Sequence, residues 1–234
     1  MRILALDTST EYLSLALQLD GNTLCYDALA GQSHSQQILP QIRALLNEAN
    51  VELSDLDGIA FGAGPGSFTG VRIACGVAQG LAFGANLPVV SVNTLMALAE
   101  ASFKACNATK VIGCLDARMG EVYHAAFEKK DDIWQEVSIT GLFKPQAVPA
   151  LEGSDWLGAG SGWLTYAEQL SVIYRLQIKQ VLPKALPTAS ALLTIAQLQL
   201  AAGLGKSATE SAPIYIRNKV ALKTTERALG LKFN

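Results

Sequence analysis

Short apolar runs and amphipathic segments alternate along the chain and predict strands and helices in turn. Residues 2–6 (RILAL) are an apolar run that ends at Asp7, and residues 12–22 (YLSLALQLDGN) alternate as in a half-buried strand. The TSTE turn between them predicts a hairpin with a carboxylate at its bend.

The pattern occurs a second time. Residues 111–127 (VIGCLDARMGEVYHAAF) align with the first hairpin without a gap when Asp116 is placed on Asp7, and FGAGPGS (61–67) is matched by LGAGSGW (157–163). Strand–turn patterns of this kind also arise by chance, but the same motifs in the same order favour an internal duplication into two lobes of like topology.

Helical periodicity fills the gaps between the predicted strands. Residues 33–50 begin at a serine cap and place an apolar face on one side, formed by Ile38, Ile42 and Leu45. Residues 188–206 form a second helix with glycine stop signals. Strand–helix alternation in both halves predicts an α/β fold.

A polar, turn-rich joint at residues 102–110 separates the two halves. We therefore expect an N-terminal lobe over residues 1–104 and a C-terminal lobe over residues 105–234. An end of the chain that packs back on the N-terminal lobe is part of this expectation.

The glycine-rich loop FGAGPGSFTGVRI (61–73) raises the question of a phosphate site. Gly70 is followed by Val71 and Arg72 instead of the Lys and Ser/Thr of a Walker A loop, and no acidic ribose-binding residue follows. Two readings remain: an anion at the helix N-terminus, or a tight strand-to-helix turn that needs glycine.

The helix after this loop has an unusual surface. Gly76, Gly80 and Gly84 recur every four residues and share one row, and each costs about 1 kcal/mol relative to alanine. The apolar or small arc covers about two-thirds of the helix, more than one sheet would bury. The row packs either against a partner or inside the protein's own core.

Composition narrows the class of protein. Half of the residues are apolar, 16% are charged and the net charge is −2, which argues against disorder and against a nucleic-acid platform over the whole surface. The one local basic stretch is residues 212–234, which suggests either a solvated tail or a phosphate or tRNA contact. Its cations are Arg217, Lys219, Lys223, Arg227 and Lys232.

Targeting and cysteine patterns point to the cytoplasm. The chain starts without a secretory pattern, and its most apolar run, residues 76–90, is interrupted and too short to span a bilayer. The four cysteines lack CxxC spacing and predict reduced core residues. They are Cys25, Cys75, Cys106 and Cys114.

Catalytic signals are sparse. No HxxxH, HExxH or CxxC pair is present, and we expect His34 and His124 to be ordinary hydrogen-bonded residues. Asp7 and Asp116 are weak candidates for holding Mg²⁺-nucleotide between two lobes. Arg118 is an equally good ion-pair partner for Asp116.

With these motifs in place, the sequence resembles the TsaB (YeaZ) family of bacterial tRNA threonylcarbamoyladenosine biosynthesis proteins. The matching stretches are ALDTST, GPGSFTGVRI, LDARMGEVY, LGAGSG and PIYIRNKVA, which span essentially the whole chain. The resemblance implies the actin-like ATPase fold of sugar kinases and heat-shock chaperones, with two similar lobes of ribonuclease H-like mixed sheets flanked by helices.

The resemblance also implies partners and a role. The family is a paralogue of the catalytic subunit TsaD, which it binds through helices of the N-terminal lobe, here 34–49 and 67–85; the ATPase TsaE joins through the complex. Self-association through the same surface, an indirect tRNA contact, no cofactor and no membrane are further expectations. The implied interface residues are Ile38, Ile42, Leu45, Arg72, Gly76, Gly80 and Gly84.

The chain departs from TsaD at one informative place. Where TsaD carries metal-binding histidines, the stretch VNTLMAL (92–98) has Thr94 and Leu98, which cannot replace a metal-ligating imidazole. The sequence thus predicts an accessory subunit that is not itself an enzyme. The alternatives are a stand-alone ATPase or phosphotransferase using Asp7 and Asp116, and a glycoprotease-like peptidase.

Overall fold

The computed structural model describes residues 1–217, which form ten strands and six α-helices. The strands are β1 (Ile3–Asp7), β2 (Tyr12–Leu19), β3 (Asn22–Leu29), β4 (Gly58–Gly64), β5 (Val89–Asn93), β6 (Lys110–Arg118), β7 (Glu121–Lys130), β8 (Ile133–Phe143), β9 (Trp156–Ala159) and β10 (Ile178–Leu182). The helices are α1 (His34–Ala49), α2 (Phe68–Ala85), α3 (Thr94–Cys106), α4 (Gly162–Thr165), α5 (Ala167–Ile173) and α6 (Ala189–Ala201).

The strands form two five-stranded sheets with the same topology. In the first the order is β3-β2-β1-β4-β5, with an antiparallel β1–β2–β3 meander and with β4 and β5 parallel to β1. In the second the order is β8-β7-β6-β9-β10 with the same strand directions. The predicted fold class, an α/β actin-like fold of two similar lobes with mixed sheets, is confirmed.

The two loops that resemble each other in sequence have matching backbones. Gly64 ends β4 with φ of +107° and Gly160 follows β9 with φ of +102°, a region that side-chain-bearing residues rarely adopt. In both lobes the chain then turns sharply from a strand toward a helix.

Helices cover both faces of the first sheet. On one face α1 and α2 pack against Leu4, Leu6 and the inward residues of β2. On the other, α6 packs against Ile3 and Ala5, and α3 lies between α6 and β6 of the second sheet. A helix from the second half of the chain therefore completes the core of the first sheet, and the lobe boundary at residues 104 and 105 stays a prediction.

The predicted helix limits are close to the observed ones. The 33–50 segment forms α1 after Ser33, and the 188–206 segment forms α6, which starts after a Thr188 cap and ends at Ala201. Gly203, with φ of +71°, follows its end. A glycine just past a helix terminus satisfies the left-handed turn there.

The prediction that all four cysteines lie in the core is wrong for two of them. Cys75 and Cys114 are buried, but Cys25 and Cys106 are exposed. Cys25 lies on β3, the outer strand of the first sheet, and Cys106 is the last residue of α3. An apolar sequence neighbourhood does not by itself bury a residue at an edge or an end.

Helix α2 is, among the described residues, the one helix long and apolar enough to cross a membrane. Its inner residues pack against β4 and β1, as in the core helix of a globular protein. The other cations of the predicted basic stretch lie outside the described residues; they are Lys219, Lys223, Arg227 and Lys232.

Candidate functional site

The glycine-rich loop is a junction between β4, α2 and the β1–β2 turn. Ser67 caps α2, because its hydroxyl accepts a hydrogen bond from Gly70 N at 3.3 Å, and Ser67 N donates to Ser9 O at 2.7 Å. A Cβ on Gly70 would overlap the carbonyl oxygen of Thr8, and one on Gly66 would lie 2.6 Å from Ser9 O. These contacts favour the tight-turn reading of the loop over an anion site.

Asp7 is buried beneath this junction, with 1% of its surface exposed. Its Oδ1 accepts hydrogen bonds from Ser9 N at 2.9 Å and Ser9 Oγ at 2.8 Å, while Oδ2 faces Gly62 and has no partner among residues 1–217. Burial raises the pKa of the Asp7 carboxyl to about 6, against the lowering effect of both Ser9 hydrogen bonds. A bound nucleotide would not reach this carboxylate without movement of the loop.

Asp116, the counterpart in the second hairpin, is held by its neighbours. Its Oδ1 accepts from Arg118 N at 2.8 Å and from Tyr166 Oη at 3.3 Å, and its Oδ2 lies 3.4 Å from the Arg118 guanidinium. Asp116 therefore forms the ion pair with Arg118 that was one of the two alternatives predicted from the sequence.

Thr94 and Leu98, the positions at which the resemblance implies histidines in TsaD, are fully buried. Thr94 starts α3 and its hydroxyl donates to Pro65 O, which fastens the helix to the glycine loop. Leu98 packs in the core between α3 and the second sheet. Both side chains serve packing.

The outer face of α2 is the notable surface of the first lobe. Gly76, Gly80 and Gly84 are exposed, and a Cβ at any of them would meet nothing within 4 Å. The buried side of the helix is its alanine row, Ala74, Ala78 and Ala82. The glycine row therefore faces away from the core that residues 1–217 form.

Aromatic residues lie along the same helix. Phe83 is 75% exposed between Gly80 and Gly84. At the start of the helix, the Arg72 guanidinium lies 3.6 Å from the centroid of the Phe68 ring and its Nε donates to Tyr215 Oη at 2.9 Å. We call the exposed glycines together with Phe83 and this Arg72 group the α2 outer face.

The predicted interface residues of α1 need a correction. Ile38, Ile42 and Leu45 are buried in the core between α1 and the first sheet, so they cannot form an exposed contact surface. The exposed apolar residue of this helix is its neighbour Leu39. Helical periodicity identifies a buried face without saying what buries it.

Residues 211–217 belong to the end of the chain, which the sequence predicted to pack back on the N-terminal lobe, and they contact both lobes. Ser211 O accepts from Gln79 Nε2 at 2.7 Å, Ile214 N donates to Ala63 O at 2.7 Å, and Arg217 pairs with Glu121. The segment runs from α2 past the glycine loop to the β6–β7 turn. The individual contacts of this segment were not visible in the sequence.

Comparisons with known proteins agree with this architecture. The family model described as TsaD, tRNA N6-adenosine threonylcarbamoyltransferase, matches residues 28–224. The chain is 39% identical over 231 residues to the tRNA threonylcarbamoyladenosine biosynthesis protein TsaB of Escherichia coli (strain K12), covering 95% of this chain and 97% of that protein. It is 38% identical over 232 residues to TsaB of Haemophilus influenzae, covering 95% and 96%.

A solved structure gives the same result in three dimensions. YeaZ from Pseudomonas aeruginosa superposes with a TM-score of 0.86 at 40% identity, covering 92% of this chain and 99% of that one.

Proposed function

The chain belongs to the TsaB family of tRNA threonylcarbamoyladenosine biosynthesis proteins, and we propose that it is a non-catalytic subunit that binds the catalytic paralogue TsaD. The modification in question is threonylcarbamoyladenosine next to the anticodon of tRNAs that read codons beginning with A. In this role the chain supplies a surface, and TsaD supplies the chemistry.

The α2 outer face is the observation that carries the proposal. Three glycines inside one helix lower its intrinsic stability by about 3 kcal/mol relative to alanine, and none of them makes room for another part of residues 1–217. A row without side chains lets a second helix approach closely, and Phe83 offers it an apolar anchor. Helix α2 thus has a groove for a helix of TsaD, and alanines at the glycine positions would fill that groove.

The contacts of the candidate catalytic residues support the non-catalytic part of the proposal. Asp7 is buried, Asp116 is engaged by Arg118 and Tyr166, and Thr94 and Leu98 are packing residues. None of these positions presents an exposed ligand for a metal or a nucleotide phosphate. Activity then depends on the paralogue.

The assembly would include further components. TsaE joins through the TsaB–TsaD pair, tRNA contact is indirect, and the isolated chain forms a homodimer through the same α2 outer face, since a surface made for one helix also fits its own copy. We expect the protein to act in the cytoplasm, where tRNA is modified.

Substitution of Gly80 by leucine tests the proposal. We expect Gly80→Leu to abolish co-purification with TsaD and to lower reconstituted tRNA modification to the level without this subunit, because the side chain fills the helix groove. Its thermal melting should stay close to that of the wild type, since the added Cβ meets nothing. Ala105→Leu, an exposed alanine near the end of α3, is the matched control and should leave binding intact.

Two outcomes would count against the proposal. Unfolding of Gly80→Leu would show that the glycine row has an internal packing role. Tight TsaD binding by a folded Gly80→Leu protein would move the interface elsewhere.

A further inference from the structure

Residues 211–217, which we call the strap, run between the two lobes without a helix or strand of their own. Their position therefore depends on contacts with the rest of the chain. On the first lobe, Ser211 O accepts a hydrogen bond from Gln79 Nε2 at 2.7 Å, and Ile214 N donates to Ala63 O at 2.7 Å. These two bonds hold the first half of the strap against α2 and the end of β4.

Arg217 anchors the other end of the strap on the second lobe. Its Nη1 donates to Ala117 O at 3.0 Å, and its Nη2 pairs with the Glu121 carboxylate. Only 13% of the Arg217 side chain and 30% of the Glu121 side chain are exposed. A partly buried ion pair is screened less by solvent and salt than a pair on the open surface. The Arg217–Glu121 pair is therefore a specific link between the strap and the β6–β7 turn.

Tyr215 lies between the two anchors and contacts Arg72 of α2. The Tyr215 Oη accepts from Arg72 Nε at 2.9 Å, and the centroids of the Tyr215 and Phe68 rings are 6.2 Å apart. The Arg72 guanidinium lies 3.6 Å from the Phe68 centroid and 5.5 Å from the Tyr215 centroid. Two aromatic rings and one hydrogen bond thus fix the orientation of the planar guanidinium.

Phe68 and Arg72 continue the glycine row of α2. The spacing of four residues that relates Gly76, Gly80 and Gly84 extends back to both of them, so they lie at one end of the helix groove. Arg72 is the one charged residue of α2, and its Nη atoms have no hydrogen-bond partner within residues 1–217. The guanidinium therefore has donors available to a helix bound in the groove.

We propose that the Arg217–Glu121 pair positions Arg72 for TsaD binding. Arg217 holds the strap, the strap holds Tyr215, and Tyr215 orients the guanidinium that meets TsaD at the end of the groove. Arg217 and Glu121 are thus positioning residues, and the second lobe contributes to the affinity of a surface on the first. This inference rests on the proposed function, because it concerns the same α2 outer face.

A double-mutant cycle on the full chain tests the inference by calorimetric titration with TsaD. We expect Arg217→Gln and Glu121→Gln, which break the pair from either side, each to weaken binding about fivefold. Arg72→Gln should weaken it about tenfold. Adding Arg217→Gln to Arg72→Gln should cost nothing more, because Arg217 acts through Arg72, whereas independent effects would multiply to about fiftyfold.

A matched control breaks an ion pair elsewhere on the second lobe. Lys179 Nζ on β10 lies 3.8 Å from Asp155 Oδ1, and both side chains are exposed. We expect Lys179→Gln to bind TsaD as the wild type does.

The NMR signal of the Arg72 Nε–H reports on its orientation without TsaD, and the loss of this signal in Arg72→Gln assigns it. We expect Arg217→Gln and Glu121→Gln to shift it, because the Tyr215 hydrogen bond and ring move away, and Lys179→Gln to leave it in place. A general loss of stability in a protein that is still folded would not move this one signal selectively.

The outcomes separate this inference from the proposed function. Unchanged TsaD affinity of Arg217→Gln, while Gly80→Leu blocks binding, would overturn the inference and leave the proposed function standing. Multiplying effects in the double variant, or an Arg72 signal that neither strap variant shifts, would do the same. Tight binding by a folded Gly80→Leu protein would overturn both.

Discussion

Individual glycines of the loop and of α2 differ in what surrounds them. Gly66 and Gly70 lie against the backbone of the β1–β2 turn, whereas Gly76, Gly80 and Gly84 face open space. The first pair is needed for the fold of the chain itself. The second set contacts no other part of the described chain, which is why we assign it to a partner.

Gly70→Ala tests the structural role of the loop at this scale. The added Cβ would overlap Thr8 O, a backbone atom that cannot move aside without shifting the β1–β2 turn. We expect the free energy of unfolding to fall by about 1–3 kcal/mol, measured by urea denaturation. A neutral effect would mean that the turn is free to shift away from α2.

At the level of the element, α2 has one face that serves the core and one that does not. Its buried alanine row contacts the sheet, while the α2 outer face combines glycines with an exposed phenylalanine. The glycines make α2 less stable than alanines would at the same positions. In exchange, they leave the outer face of the helix open to close approach by a partner.

Gly80→Ala tests whether the exposed glycines lower stability while favouring TsaD binding. Because the new methyl meets nothing within 4 Å, we expect the free energy of unfolding to rise by about 1 kcal/mol, while affinity for TsaD falls. Urea denaturation and calorimetric titration with TsaD check the two parts. A loss of stability would contradict the outward orientation of the row.

For the whole molecule, two buried groups give opposing responses to pH. Burial lowers the pKa of His124 from 6.5 to about 4 and raises that of Asp7 from 3.8 to about 6. His124 stays neutral: Tyr174 Oη donates to Pro149 O at 2.6 Å and so accepts from His124 Nε2 at 2.8 Å. The stability that depends on His124 is lost as pH falls from 6.5 toward 4, whereas that linked to Asp7 is gained as pH falls from 6 toward 3.8.

Each contribution amounts to about 3 kcal/mol in full and changes by about 2 kcal/mol between pH 6 and 4, so the two nearly cancel over this range. We expect Asp7→Asn to remove the compensation, so that the variant loses about 2 kcal/mol more than the wild type over this range. Urea denaturation at pH 6, 5 and 4 measures the difference, in which the other titrating groups cancel. His124→Gln in the same background should abolish the extra loss, and parallel wild-type and Asp7→Asn profiles would refute the linkage.

The sequence by itself determined the local features of this protein. Alternation and helical periodicity predicted the β1–β2 hairpin and helices α1 and α6. The repeated Asp and Gly motifs indicated two lobes, and the spacing of four residues in α2 identified its glycine row. All of these depend on residues near one another in the chain. Periodicity also placed Ile38, Ile42 and Leu45 on one apolar face, but their assignment to a partner interface came from the resemblance. An apolar stripe looks alike whether its own sheet or a partner covers it.

The tertiary structure decided which surfaces meet. It turned the glycine row outward, buried Asp7 beneath the glycine loop, packed α6 on the first sheet, and anchored the strap on both lobes. These outcomes rest on contacts between residues far apart in sequence, whose geometry follows from how the two sheets and their helices pack together. No periodicity within a single segment encodes that packing.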